Sequence, residues 1–258
     1  MLEDKLKKSL TWIICSLYLY ELPLRHLCKE YIGSANGPSN HKGIIGEEIQ
    51  NCENIEIFED FVIMHGTPLP EFELNDLSMD KTYSDRIIKV IQMGVIDYKL
   101  FKLKPRKISH SRWLTTANRL CRLYVTKNNS EIELKLLINF IVSVYGPSWF
   151  EIKQQWICTH GSKHYLNQIK RIEKLPEEIK KNSDWAHSEH ILVAMLGDQC
   201  ADVRNISVKK MNCRFANNKI SCRKFKIPTV DENMTNLNSF LDHQEIFEPP
   251  ITAKMDIG

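Results

Sequence analysis

Between Lys99 and Lys127 the chain carries nine lysines and arginines (Lys99, Lys102, Lys104, Arg106, Lys107, Arg112, Arg119, Arg122 and Lys127) and no aspartate or glutamate. Such a run can follow a line of phosphates, because each phosphate neutralised releases condensed counterions. The competing reading is a solvated loop and helix face. In the middle of the run stands "SHSRWLTT". Trp113 shares its apolar face with Leu114, Ala117, Leu120, Cys121 and Tyr124 at helical spacing, so it reads as a core anchor. Arg112 is turned about 100° away and can reach solvent or phosphate. Arg106, Lys107, Arg112, Arg119 and Arg122 are the expected phosphate contacts.

Two other sets of residues invite chemistry. "CTHGSKH" supplies Cys158, His160 and His164, and "HSEH" supplies His187 and His190. Thiolate and imidazole suit zinc, but no C-x-x-C pair accompanies them, and His160 with His164 is the only helix-compatible pair. The competing reading is histidines at loop–helix junctions, with no cofactor. Glu59, Asp60 and Asp198 could serve a metal-dependent nuclease, which needs carboxylates brought together from separate elements. None of them ends a buried strand, so they read as surface and helix-end residues. The sequence holds no glycine-rich phosphate loop, no G-x-S-x-G and no H-E-x-x-H.

These residues must be positioned by a core, and 258 residues with 43% hydrophobic content suffice to build one. The net charge of +3 is too small to demand a polyanionic partner, so the local distribution matters more. Eight scattered cysteines in a chain of this length read as reduced thiols, which places the protein inside the cell, in nucleus or cytoplasm. The apolar run Leu10–Tyr20 follows a basic start as a leader would, yet it is too short to cross a bilayer and no small-x-small cleavage site follows. A buried helix is the better reading, and no membrane partner is expected.

Helical spacing predicts one long helix over 3–31 that Pro23 should kink or break, a short one at 45–51, and others at 80–95, 111–126 and 130–144. Ser109 or Ser111 is the expected N-cap of the fourth, and Ser130 with Glu133 form a capping box for the fifth. Gly146-Pro147 should stop that helix, and helix resumes over "SWFEIKQQW". Helices at about 161–173, 176–182 and 188–197 complete the pattern. Residues 54–75, with "HGTPLP", fit one strand or an extended connection, and "CRKFKIPTV" fits an edge strand. The fold class is mainly α with few short strands. The expected division is 1–78, 79–200 with the basic segment, and a poorly structured 201–258.

Six stretches in order, "LTWIICSLYLYELPLRHL", "GPSNHKGIIG", "HSRWLTTANRLCRLYV", "VYGPSWFEIK", "RKFKIPTV" and "EPPIT", resemble a multi-copy group of uncharacterised arthropod proteins. That group is similar in turn to hobo/Activator-type (hAT) transposases, whose Thr-Arg-Trp-Asn motif is matched by Arg112 and Trp113. The resemblance implies the remnant of a ribonuclease H-like core carrying a helical insertion. The Gly-Thr-Asp-Gly stretch typical of the group would fall before Met1, so the resemblance implies a truncated chain without its catalytic aspartates. A two-metal site without carboxylates cannot hold its ions. The function expected is a transposase-derived domain, catalytically incompetent alone, that binds nucleic acid without sequence preference. The alternative is a helical interaction or structural domain whose apolar residues 9–27 face a protein partner or a second copy.

Overall fold

Where apolar residues recur at helical spacing, the chain is helical. The structure, a computed structural model, describes residues 16–33, 43–55, 60–72, 77–96, 100, 102–106, 113–127, 130–154, 157–182, 192 and 195–216. The helices are α1 (Ser16–Tyr31), α2 (Ile44–Asn51), α3 (Met79–Met93), α4 (Trp113–Tyr124), α5 (Ile132–Phe140), α6 (Gly146–Gln154), α7 (Ile157–Ile172), α8 (Glu177–Asn182) and α9 (Ala201–Ala216). A 3-10 turn, Cys52–Asn54, continues α2, and a widened π-helical stretch, Ile141–Tyr145, joins α5 to α6. The fold is mainly α. Among the described residues there is no strand, and 61–72 run as an extended connection. The expected strand at Cys222–Val230 lies outside the described residues, as do Ser109 and Ser111.

The apolar core is built around α4. Every residue from Leu114 to Tyr124 is buried, because α3, α2 and α5 pack around it. Leu24 and Leu27 of α1, Ile49 of α2, Ile87 and Ile91 of α3, and Ile138 of α5 join Leu120 in one apolar core. The packing therefore has no break at the boundary expected near residue 78. The chain instead divides into two compact units, Met1–Ser207 and Val208–Gly258, and of the second only the helical residues 208–216 are described.

Three expected start and stop signals act differently, each for a physical reason. Helix α1 runs through Pro23 without breaking. Proline inside a helix costs about 3 kcal/mol, but Leu22, Leu24 and Leu27 are all buried around it, and each stabilises by about 1.5–3 kcal/mol. The capping box does not form. Helix α5 begins after Glu131 with no side-chain cap, the Ser130 hydroxyl is buried without a hydrogen-bond partner, and Glu131 is engaged by Lys127 at 2.8 Å.

Nor does Gly146-Pro147 stop the helix. The Gly146 N–H reaches back to Ile141 O, one residue further than in an α-helix. The carbonyl of Val142 is thereby released, and Pro147 has no N–H for the carbonyl of Ser143. Both are taken up from outside. Gln92 Nε2 donates to Val142 O at 3.2 Å, and Thr67 Oγ1 donates to Ser143 O at 2.8 Å. Gln92 Nε2 also holds Thr67 O at 3.0 Å. The extended connection is thus fastened across the widened turn. Gly66 permits the approach, since a Cβ there would stand 2.5 Å from Val142 O.

Candidate functional site

The basic segment folds around one side chain. Arg119, only 2% exposed, occupies the middle of α4. Its Nε donates to Ile49 O at 2.6 Å. Nη1 donates to Arg106 O at 3.1 Å and to Pro105 O at 3.4 Å. Nη2 donates to Gln50 O and to Glu53 Oε2, each at 2.5 Å. A guanidinium has five N–H donors in a fixed fork, and each finds an acceptor. Two of the acceptors are carbonyls at the C-terminal end of α2, which lack partners inside that helix and attract positive charge. Arg122, 4% exposed, adds a contact from Nε to Cys52 O at 3.5 Å.

This overturns two of the five expected phosphate contacts. Arg119 and Arg122 lie on the polar face of their helix, opposite Leu120 and Tyr124, and in an isolated helix that face would be wet. Here α2 and the 52–54 turn cover it, and they offer carbonyls and Glu53 in place of water. Lys127 is also committed to protein, with Nζ 2.6 Å from Glu48 and 2.8 Å from Glu131. Burial pulls its pKa down, but the hydrogen bonds it donates to Glu131 and Glu48, with their negative charge, outweigh burial and leave it raised. Trp113 is half-buried against the core, as expected of an anchor. Lys107 and Arg112 lie outside the described residues.

Among the described residues of the segment, what remains open to solvent is the stretch 102–106 before α4. Lys102, Lys104 and Arg106 are exposed, and Leu103 between them is 39% exposed. The loop is not free to wander. Arg119 fastens its carbonyls at Pro105 and Arg106, and the Arg106 side chain has Nε 3.3 Å from Asp80 Oδ1. Asp80 belongs to the first turn of α3, and its carbonyl accepts a 3.0 Å bond from Asn118 Nδ2. Consecutive residues of α4, Asn118 and Arg119, therefore hold the backbones of both members of the Asp80–Arg106 pair.

Of the metal and carboxylate candidates, His164, Asp60 and Asp198 are described with their side chains. Among the described residues no group of three or more His, Cys, Asp or Glu is placed to hold a metal ion. His164 is buried in α7, with Nδ1 4.0 Å from Glu151 Oε2. The side chains of Cys158 and His160, and all of His187 and His190, fall outside the described residues. Asp198 is a turn residue whose Oδ1 accepts the Cys200 N–H at 2.7 Å at the start of α9. Asp60 is exposed beside the extended connection, and Glu59 is outside the described residues. The thiols that are described offer no nucleophile in the core. Burial pushes Cys52 up to about 11 despite the nearby Arg119, and raises Cys28 and Cys121 as well.

Neither family models, nor curated proteins, nor solved structures give any match to this chain.

Of the 9–27 stretch expected to meet a protein partner, residues 9–15 lie outside the described residues. Tyr20, Leu22, Leu24 and Leu27, within the 9–27 stretch, are buried in the protein's own core. Exposed apolar side chains among the described residues include Ile44, Met79 and Ile132, which stand at helix starts, and a group formed by Val62 and Ile63 on the extended connection with Met93 and Val95 at the end of α3. The members of this group are neighbours in space, since Met64 N donates to Ile91 O at 3.0 Å and a Cβ on Gly94 would stand 2.6 Å from Ile63 Cδ1. Sequence reasoning missed Asp80, Asn118 and Glu53. The one signal available was the absence of any acid in 99–127, which obliges buried arginines there to find their partners at a distance in sequence. Among the described residues no helix is long and apolar enough to cross a membrane.

Proposed function

We propose that this chain is a transposase-derived helical domain that binds nucleic acid without sequence preference, using the basic loop 102–106 and performing no chemistry of its own. One observation carries the reading: Lys102, Lys104 and Arg106 stand exposed on a stretch that a buried arginine grips at the carbonyls of Pro105 and Arg106. A fixed loop loses little conformational freedom on binding, so its charges act at low entropic cost. Lys107 and Arg112 extend the same run of charge along the sequence. The likeness of Arg112-Trp113 to the hAT motif points the same way.

The test is binding of the purified chain to a labelled random-sequence duplex, titrated against salt. Lys102→Glu with Lys104→Glu should weaken binding equally across sequences. It should also flatten the slope of log K against log salt by about 0.9 for each phosphate that is no longer neutralised. A double variant that binds as tightly as the parent, with the same slope, removes this function.

The second reading is a protein-interaction module, and the patch of Val62, Ile63, Met93 and Val95 favours it. Exposed apolar side chains grouped on one surface mark interaction sites in soluble proteins. Val95→Glu should then change the oligomeric state or abolish a protein contact without touching DNA binding.

A further inference from the structure

The loop proposed above to meet phosphates carries its own competitor. Asp80 Oδ1 lies 3.3 Å from Arg106 Nε, and the Arg106 side chain is still 65% exposed. An exposed pair of this kind is ordinarily a loose accident of the surface. This pair is built. Asn118 Nδ2 holds the Asp80 carbonyl at 3.0 Å, and the next residue on the same helix, Arg119, holds the Arg106 carbonyl at 3.1 Å. Both backbones are fixed from α4, so the carboxylate and the guanidinium face each other without a search. The Asp80 side chain is itself only 13% exposed, which limits its screening by water. The neighbouring Lys81 does not compete closely for it, because its Nζ is turned toward the Trp149 ring, 5.7 Å from the centroid.

We propose that Asp80 is an internal phosphate mimic that restrains polyanion binding at this loop, holding Arg106 back from a backbone phosphate. The proposal rests on the loop being the nucleic-acid contact. Its physical content is a competition for one guanidinium. A phosphate that approaches Arg106 must displace a carboxylate already in place and meets that carboxylate's negative field. Lys102 and Lys104 are free of the restraint and make the encounter. Arg106 joins only when the Asp80 pair opens.

The experiment uses the full chain and the same random-sequence duplex. Asp80→Asn removes the charge and keeps the shape. It should bind about two- to fivefold more tightly at about 50 mM salt, the range that an ion pair of this exposure allows. Its log K against log salt slope should steepen by about 0.9, the signature of one more phosphate engaged. The gain should vanish when Arg106→Gln is added, because the double variant has nothing to release. Loss of the gain in the Arg106→Gln background separates release of Arg106 from misfolding or from the general effect of removing one negative charge. Asp80→Ser, which also suits a first helical turn, should reproduce it. Asp80→Asn binding as the parent or more weakly overturns the proposal, as does a gain that persists in the Arg106→Gln background. The control separates this from failure of the loop reading. If Lys102→Glu with Lys104→Glu weakens binding and Asp80→Asn changes nothing, only the competitor role falls. If that double variant binds as the parent does, both fall.

Discussion

Replacing Arg119 by methionine removes a guanidinium and keeps most of its volume, so it isolates the polar contribution. Five acceptors lose their donor: the carbonyls of Ile49, Gln50, Pro105 and Arg106, and the Glu53 carboxylate. Breaking a buried pair by removing one partner costs about 3–5 kcal/mol. The Glu53 side chain is 19% exposed, so water can reach it, and Arg119→Met belongs at the low end, about 3 kcal/mol. That is a large share of a domain stability of about 5–15 kcal/mol. With a urea m-value of about 2 kcal/mol per molar, the midpoint should fall by about 1.5 M. Far-UV circular dichroism in urea reads it directly. Arg119→Lys keeps the charge but offers three donors without the planar fork, so it should fall between the methionine variant and the parent. Arg119→Met with Glu53→Gln should be more stable than Arg119→Met alone, because the uncompensated carboxylate is gone. A midpoint shift of under about 0.5 M for Arg119→Met, or a lysine variant as stable as the parent, would refute the saturated-guanidinium account.

Three further outcomes follow from the same packing. Gly66→Ala should destabilise by about 1–3 kcal/mol in the same urea assay, because its Cβ would meet Val142 O at 2.5 Å with no flexible side chain to yield. Under native conditions a maleimide should label Cys200, which is exposed, and leave Cys28, Cys52 and Cys121 untouched until urea is added, as peptide mass mapping can show. Raising the pH should destabilise the fold. Burial raises the Cys52 thiol from 9.0 to about 11, so its neutral form contributes stability that is present below pH 9.0 and is lost as the pH climbs to about 11. The raised thiols of Cys28 and Cys121 act in the same direction, so thermal midpoints should decline from pH 9.0 upward, and more slowly in Cys52→Ala.

The sequence by itself determined most of the helices, though not α9, which forms where 201–258 was expected to be poorly structured. Period and propensity are local, and α3, α4 and α8 begin and end within a few residues of the expected places. Gly94 supplies one stop, closing α3 in the left-handed region at φ 70° with its N–H on Val90 O. The apolar faces were equally legible, and Trp113 anchors as its position on such a face requires. The sequence also located where positive charge is concentrated. Only the tertiary structure decided which of those charges are available. Arg119 and Arg122 sit on a face that is polar in any helical projection, and no local rule says whether water or protein covers it. Residues about seventy positions earlier do so, through the end of α2 and the turn that follows. The same holds at Gly146-Pro147, where the stop signal is overridden because Gln92 and Thr67, distant in sequence, satisfy the carbonyls it releases. Periodicity records what one element presents to its surroundings. Hydrogen-bond satisfaction in a buried site depends on what another element brings to meet it, and that is fixed only when the chain has folded.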